Sequence, residues 1–351
     1  MDKLDDITKL VLDQMEKIES AGLFNGKTGP CIYFFLLFRK TGNTDHLKIA
    51  ENLIEEIYNE VSKGSISPYL DNGLAGIALG FTFLERNGFV EADLNDVLSD
   101  LDDKIFKFLT GPKDNLSIGI SQGVLGFLIY LILRLESKTL NPHNHYIFEM
   151  LVIDLLNHLN QLIEENKVKL QEPLLFDITW DLPMILITLS KIKSLNICSS
   201  KVDRIIEYLS PTVLSLLPYL DSNKLYFLLG IESILTITDL TSWRRHAQLI
   251  SANINFTNII VNEIKSLKIF INDGVSGLAL ISKELFEVTN DTKFLFPFHL
   301  IQNKIVESDG FKELEIYEYV KENASLINGL SGVGLSMLIL EQCNSEILIK
   351  L

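Results

Sequence analysis

The sequence predicts an all-α protein, an α/α toroid of seven helical hairpins with seven inner and seven outer helices. Three observations predict it: a glycine motif recurs along the chain, buried-type and amphipathic segments alternate between its copies, and strand patterns are scarce. Hairpins that cannot bury their apolar faces alone must stack on each other, as an open solenoid or as a closed ring. We expect a ring, because the last copy is as apolar as the middle ones and provides no polar cap.

The repeated motif is a glycine, a second small residue three positions later, and then a strongly apolar segment. Five copies are clear and two are degenerate, and consecutive copies are 44 to 58 residues apart. Their first and fourth positions are Gly26/Gly29, Gly73/Gly76, Gly123/Gly126, Asp181/Met184, Gly230/Ser233, Gly274/Gly277 and Gly329/Gly332. We expect each pair at the N-terminus of an inner helix, where small residues permit a tight turn and backbone N–H groups point toward the mouth of a central cavity.

Two kinds of segment alternate between the motifs. The runs 32–38 and 333–340 are apolar on nearly every side, which indicates helices buried by their neighbours. The stretch from His46 to Val61 has apolar residues at spacings of three and four, which predicts a helix exposed on one face. Although a length of 351 residues favours two domains on average, the continuous repeat predicts one domain over residues 1–351.

Composition and charge restrict the partners and the compartment. A net charge of −15 disfavours nucleic acid and suits a basic peptide better than an acidic ligand. The longest apolar run, from Gly123 to Leu133, is about 11 residues long, whereas a membrane span needs roughly 18. The acidic N-terminal residues lack the basic and apolar regions of a secretory signal. We therefore expect a cytoplasmic protein without membrane insertion.

Seven helical hairpins that each begin with a Gly-x-x-Gly motif resemble the lanthionine synthetase C-like family. The segments 22–29 (GLFNGKTG) and 326–332 (LINGLSG) look like the first and last repeats of that family. The resemblance implies a peptide substrate and a partner enzyme of peptide maturation. It also implies zinc in the toroid mouth of the cyclases, where the metal activates a peptide thiol that adds to a dehydrated Ser or Thr and forms a thioether.

The zinc ligands and catalytic helpers that the resemblance implies are substituted in this chain. The family's fifth-repeat Cys corresponds to Leu228, and its sixth-repeat Cys-His pair corresponds to Asn272 and Asp273. The fourth-repeat His corresponds to Trp180, and the third-repeat Asp corresponds to Gly119. Leucine cannot coordinate a metal, and a single carboxylate is a weak, hard ligand. We therefore expect no zinc cofactor of the family's kind, and a peptide-binding accessory protein rather than an active cyclase.

Two alternatives remain open. The first is a toroid enzyme, hydrolase-like, that uses carboxylates beside the motif loops as general acid and base. Those candidates are Asp71, Asp177, Asp181, Glu232 and Asp273, although acidic residues before helices are ordinary N-caps. The second is a cyclase with a relocated metal. The residues that could serve it are Cys31 with Cys343, or the pair His143 and His145.

Overall fold

The chain is all-helical in the described part of a computed structural model, which covers residues 3–64, 66–113, 116–137, 139–265, 267–295, 297–308 and 324–342. The helices of the first half are α1 (Lys3–Met15), α2 (Thr28–Thr41), α3 (Thr44–Ser62), α4 (Leu74–Arg86), α5 (Leu94–Val97), α6 (Ser99–Leu109), α7 (Val124–Leu135) and α8 (Pro142–Glu164). Those of the second half are α9 (Asp181–Ser194), α10 (Ser199–Ser215), α11 (Asp221–Leu235), α12 (Thr241–Ala252), α13 (Phe256–Asn258), α14 (Val275–Thr289), α15 (Pro297–Glu307) and α16 (Leu330–Gln342). A π-helical turn (Ile259–Glu263) follows α13, and a 3-10 turn (Thr292–Phe294) follows α14.

No strand occurs among these residues, where Ser117 and Gly123 form an isolated bridge. None of the described helices combines the length and the hydropathy that a bilayer span requires.

One compact unit comprises Met1–Thr110, Ser266–Ala279 and Phe298–Leu351. Within it α2 packs between α16 and α4, and these three helices are largely buried. The amphipathic helices α3 and α6 pack on α2 and α4 respectively, and α1 packs on α16. The alternation of buried and half-exposed helices that the sequence predicts is therefore present, and the last repeat lies against the first.

The motif loops of this unit are joined by backbone hydrogen bonds. The Phe24 N–H donates to the Asp71 carbonyl at 2.8 Å. The Phe24 carbonyl accepts the N–H groups of Leu326 and Ile327 at 3.0 and 3.2 Å. The Ile327 carbonyl in turn accepts the Asn272 N–H at 3.1 Å. The loops of the second, first, seventh and sixth repeats thus follow one another as hydrogen-bonded neighbours, which is the order that a closed ring of repeats predicts.

The other compact unit comprises Gly111–Lys265 and Leu280–Pro297. Here α9 packs between α7 and α11, and the outer helices α8, α10 and α12 pack on α7, α9 and α11 respectively. The same arrangement of a buried helix with an amphipathic partner therefore recurs in both units.

The motif glycines permit close contact between the loop and the helix that follows it. In four repeats the first helical N–H donates to a carbonyl seven residues earlier: Thr28 to Ala21 at 3.3 Å, Leu74 to Ser67 at 2.8 Å, Val124 to Ser117 at 2.9 Å and Val275 to Lys268 at 3.1 Å. A Cβ at Gly123 would lie 2.4 Å from the Ser117 carbonyl oxygen, and one at Gly76 would lie 2.0 Å from that of Leu70. Loop carbonyls therefore accept these N–H groups and cap the helices. The sequence predicted instead that the N–H groups point toward the mouth of a cavity.

The fifth repeat differs from its prediction. Its buried helix α11 begins at Asp221, so Gly230 lies in the middle of the helix and not at its N-terminus. The sequence was misleading because the first turn of α11 is polar and does not look like the start of a buried helix. Gly230, with the apolar Leu228 and Leu229 beside it, resembles a copy of the motif. Gly230 has a packing role, since a Cβ there would lie 3.0 Å from Pro183 Cα of α9. The fourth repeat is closer to its prediction, with α9 beginning at Asp181 and Trp180 as its N-cap.

Candidate functional site

The candidate site lies where α9 and α11 begin, in the unit that contains residues 111–265. Two of the predicted carboxylates, Asp177 and Asp181, are neighbours there. Asp177 Oδ1 accepts the Thr179 N–H at 2.8 Å and its hydroxyl at 2.7 Å, and Asp181 Oδ2 accepts the Lys169 N–H at 3.0 Å. Burial, together with the charge of Asp177, raises the pKa of the Asp181 carboxyl. Both acids thus hold the loop that leads into α9.

The remaining predicted carboxylates are not gathered there. Glu232 belongs to the last turn of α11, far along the helix from its N-terminus, so its expected place beside a motif loop is wrong for the same reason as that of Gly230. Burial raises the pKa of the Glu232 carboxyl, against the attraction of Arg244 and Lys293. Asp71 and Asp273 belong to the other compact unit, where Asp71 accepts the Asn72 N–H at 2.6 Å and Asp273 pairs with Lys268.

An aromatic cluster fills the space between α9 and α11. Trp180 packs on Tyr226 and Phe227, with ring centroids 6.4 and 5.7 Å away. All three rings are buried, and the Tyr226 hydroxyl donates to the Ile178 carbonyl at 2.8 Å. The Trp180 Nε1 is buried and has no hydrogen-bond partner. The position that corresponds to the family's catalytic histidine is therefore part of an apolar packing layer.

Two glutamates that the sequence did not single out hold the N-terminus of α11. Glu172 accepts the N–H groups of Tyr219 and Leu220 at 2.6 and 2.9 Å. Glu263 accepts those of Asp221 and Ser222 at 2.7 and 2.9 Å. We name the pair Glu172 and Glu263 the α11 clamp. It supplies acceptors for the N–H groups at the start of α11, where the negative charge is also favoured by the helix dipole.

Further polar contacts complete the clamp. Asn223 Nδ2 donates to Glu172 at 2.9 Å and to the Pro173 carbonyl at 3.1 Å, and Asn258 Nδ2 donates to Glu263 at 3.0 Å. Neither clamp glutamate pairs with a lysine or arginine in the described part of the chain. Glu263 ends the π-helical turn, a rare element that is frequent at functional sites. Sequence reasoning missed the clamp because its glutamates are 41 to 48 residues away along the chain from the N–H groups that they accept.

The residues at the family's zinc positions do not fit the metal. Leu228 is fully buried inside α11 and offers no ligand atom. Asn272 donates its backbone N–H to Ile327, and the carboxylate of Asp273 is engaged by Lys268. This donor set lacks thiolate and imidazole, the ligands that tetrahedral zinc sites use.

The residues considered for a relocated metal are described one by one. Cys31 is buried in α2, where its thiol donates to the Ala50 carbonyl at 3.5 Å and burial raises its pKa. Cys343 lies outside the described residues. His143 and His145 belong to the first turn of α8, and His145 Nδ1 lies 3.6 Å from a carboxylate oxygen of Glu149. In the part of the chain that the structure describes, no three His, Cys, Asp or Glu side chains are grouped as metal ligands.

The fold is shared with a solved structure. Nisin cyclase superimposes on this chain with a TM-score of 0.68, covering 99% of this chain and 95% of that chain at 17% sequence identity. At this identity the likeness shows the fold, and it confirms the predicted α/α toroid class. Sequence comparison with curated proteins gave no match.

The family follows from the sequence itself. The model of the lanthionine synthetase C-like protein family matches residues 2–173. The resemblance to the lanthionine synthetase C-like family that the glycine motifs predicted is therefore confirmed over residues 2–173.

Proposed function

We propose that this protein binds a ribosomally made peptide during its maturation, as a zinc-free accessory protein and not as an active thioether cyclase. The family match over residues 2–173 supports the peptide as ligand class. The net charge of −15 favours a basic peptide. The protein would present the bound peptide to a maturation enzyme, and it would do so in the cytoplasm.

The observation that carries the proposal is the chemistry of the substituted positions. Trp180 is buried among aromatic rings, the Leu228 side chain has no ligand atom, and Asp273 is paired with Lys268. Without thiolate or imidazole ligands, the protein lacks the family's means of binding a metal that lowers the pKa of a peptide thiol. The thiol would then remain mostly protonated near neutral pH and react slowly.

We also propose that residues 1–351 form one domain. The match to nisin cyclase extends over 99% of this chain, and buried helices with amphipathic partners occur in both compact units, which supports this boundary. Scanning calorimetry should then give one cooperative unfolding transition for the whole chain.

The test uses a synthetic peptide that carries one dehydrobutyrine, one cysteine and several lysines. We expect the peptide to bind by fluorescence anisotropy, with zinc far below one atom per chain by elemental analysis. Free thiol, counted by alkylation and mass spectrometry, should disappear at the same rate with the protein as in buffer. Stoichiometric zinc together with chelator-sensitive loss of thiol would establish an active cyclase, and absence of binding would contradict the peptide ligand.

A further inference from the structure

Exposed apolar side chains gather around the N-terminus of α11. Among the described residues, 14 large hydrophobic side chains are exposed, and five of them lie in three segments that the α11 clamp holds together. We name these five the α11 rim: Leu174 (96% exposed), Leu175 (64%), Leu217 (52%), Tyr219 (88%) and Val261 (66%). Single exposed hydrophobic residues are ordinary on a protein surface, whereas several on neighbouring segments are a feature of interaction sites.

Hydrogen bonds fix the segments that carry the rim. Glu172, two residues before Leu174, accepts the backbone N–H of Tyr219 itself at 2.6 Å. Glu263, two residues after Val261, accepts the Asp221 N–H at 2.7 Å. Prolines at 173 and 218 fix the backbone φ beside the rim side chains. The rim is therefore presented on a preorganised backbone, which reduces the entropy lost on binding.

The charge around the rim is negative. The segments 169–181, 217–224 and 256–265 contain five carboxylates and three lysines. One of those carboxylates, Asp221, forms an ion pair, with Lys224 at 2.7 Å. The two clamp glutamates accept hydrogen bonds from neutral groups alone in the described part of the chain, so their negative charge is not neutralised by a cation.

We propose that the α11 rim docks an amphipathic peptide segment whose apolar side chains cover Leu174 and Tyr219 and whose lysines or arginines face the surrounding carboxylates. Burial of the rim would supply the affinity, and charge complementarity would supply orientation and association rate. The peptide as partner class rests on the proposed function, whereas the place of docking rests on the exposure, fixation and charge of the rim.

The test measures anisotropy of a labelled helical peptide made of Leu and Lys, and of a Leu and Glu peptide with the same apolar face. The double variant Leu174→Ser/Tyr219→Ser should bind the Leu/Lys peptide at least about tenfold more weakly than the unaltered protein, a loss of ~1.4 kcal/mol. The control is Tyr58→Ser, which removes a side chain 70% exposed on α3 and should leave binding unchanged. Circular dichroism establishes that each variant is folded.

Three results would overturn the proposal. They are equal binding by the rim variant, equal affinity for the Leu/Glu peptide, and concentration-dependent self-association that the rim substitutions abolish without any binding of the Leu/Lys peptide. The last would assign the rim to a second copy of this chain. If the unaltered protein binds peptide and the rim variant binds it equally well, the rim proposal fails and the proposed function stands. If the unaltered protein binds no peptide, the proposed function fails as well.

Discussion

At the scale of single residues, the motif glycines are needed because they lack a side chain, and not because their backbone angles are unusual. Gly73 and Gly123 have extended φ values of −127° and −137°, which any residue can adopt. Loop carbonyls lie so close to the backbone of these glycines that they occupy the space a Cβ would need. Side chains add to the same contact, because the hydroxyls of Thr28, Ser276 and Ser331 each donate to the carbonyl seven residues earlier.

This interpretation predicts that alanine substitutions at two glycines of one loop change the free energy of unfolding by different amounts. Gly123→Ala places a methyl group 2.4 Å from the Ser117 oxygen and should lower the free energy of unfolding by about 3 kcal/mol. Gly119→Ala should leave it within about 0.5 kcal/mol, since no atom lies within 4 Å of that Cβ position. Urea denaturation measures both, and equal losses would show that the loop adapts to either side chain.

At the scale of elements, α11 shows how a degenerate repeat keeps its helix. The first, second, third and sixth repeats cap their helices with carbonyls of their own loops, but the fifth repeat has no such glycine loop before Asp221. The α11 clamp replaces it with two carboxylates that are more than 40 residues away along the chain. The cap therefore depends on the packing of repeats on each other and could not be read from the segment 216–224 alone.

Removal of one clamp carboxylate should weaken α11. Glu172→Ala leaves the Tyr219 and Leu220 N–H groups without their acceptor, and we expect a loss of about 3 kcal/mol in the free energy of unfolding. Glu172→Gln retains one acceptor oxygen and should lose about half as much. The matched control is Glu55→Ala on the exposed face of α3, expected within about 0.5 kcal/mol. A loss no larger than that of the control would rule out the capping role.

At the scale of the whole molecule, the contact between the last and first repeats distinguishes a ring from an open solenoid. Within one compact unit α16 packs on both α1 and α2. Gly334 of α16 lies against Tyr33 of α2, whose hydroxyl lies 2.7 Å from that of Thr8 in α1. Lys40 and Glu341 form an ion pair across the same two repeats at 2.5 Å. The first and last repeats therefore stabilise each other.

A double-mutant cycle tests this contact. A Cβ at position 334 would lie 2.4 Å from Tyr33 Cε2, so Gly334→Ala should destabilise the protein. In a Tyr33→Leu background the methyl group has room, and the same substitution should cost less, with a coupling energy of about 1 to 3 kcal/mol. Coupling near zero, measured from urea transitions of the four proteins, would mean that α16 and α2 do not pack together in solution.

The sequence by itself determined the helical class, the repeat and six of the seven positions at which buried helices begin, because apolar periodicity and glycine spacing are local properties of the chain. It also has Asn272 and Asp273 where the family resemblance implies a Cys-His pair. Only the tertiary structure decided that α11 begins at Asp221, that Glu172 and Glu263 cap it, and that Glu232 belongs to its far end. These facts depend on contacts between residues about 40 or more positions apart, and such contacts leave no periodic signal in the sequence.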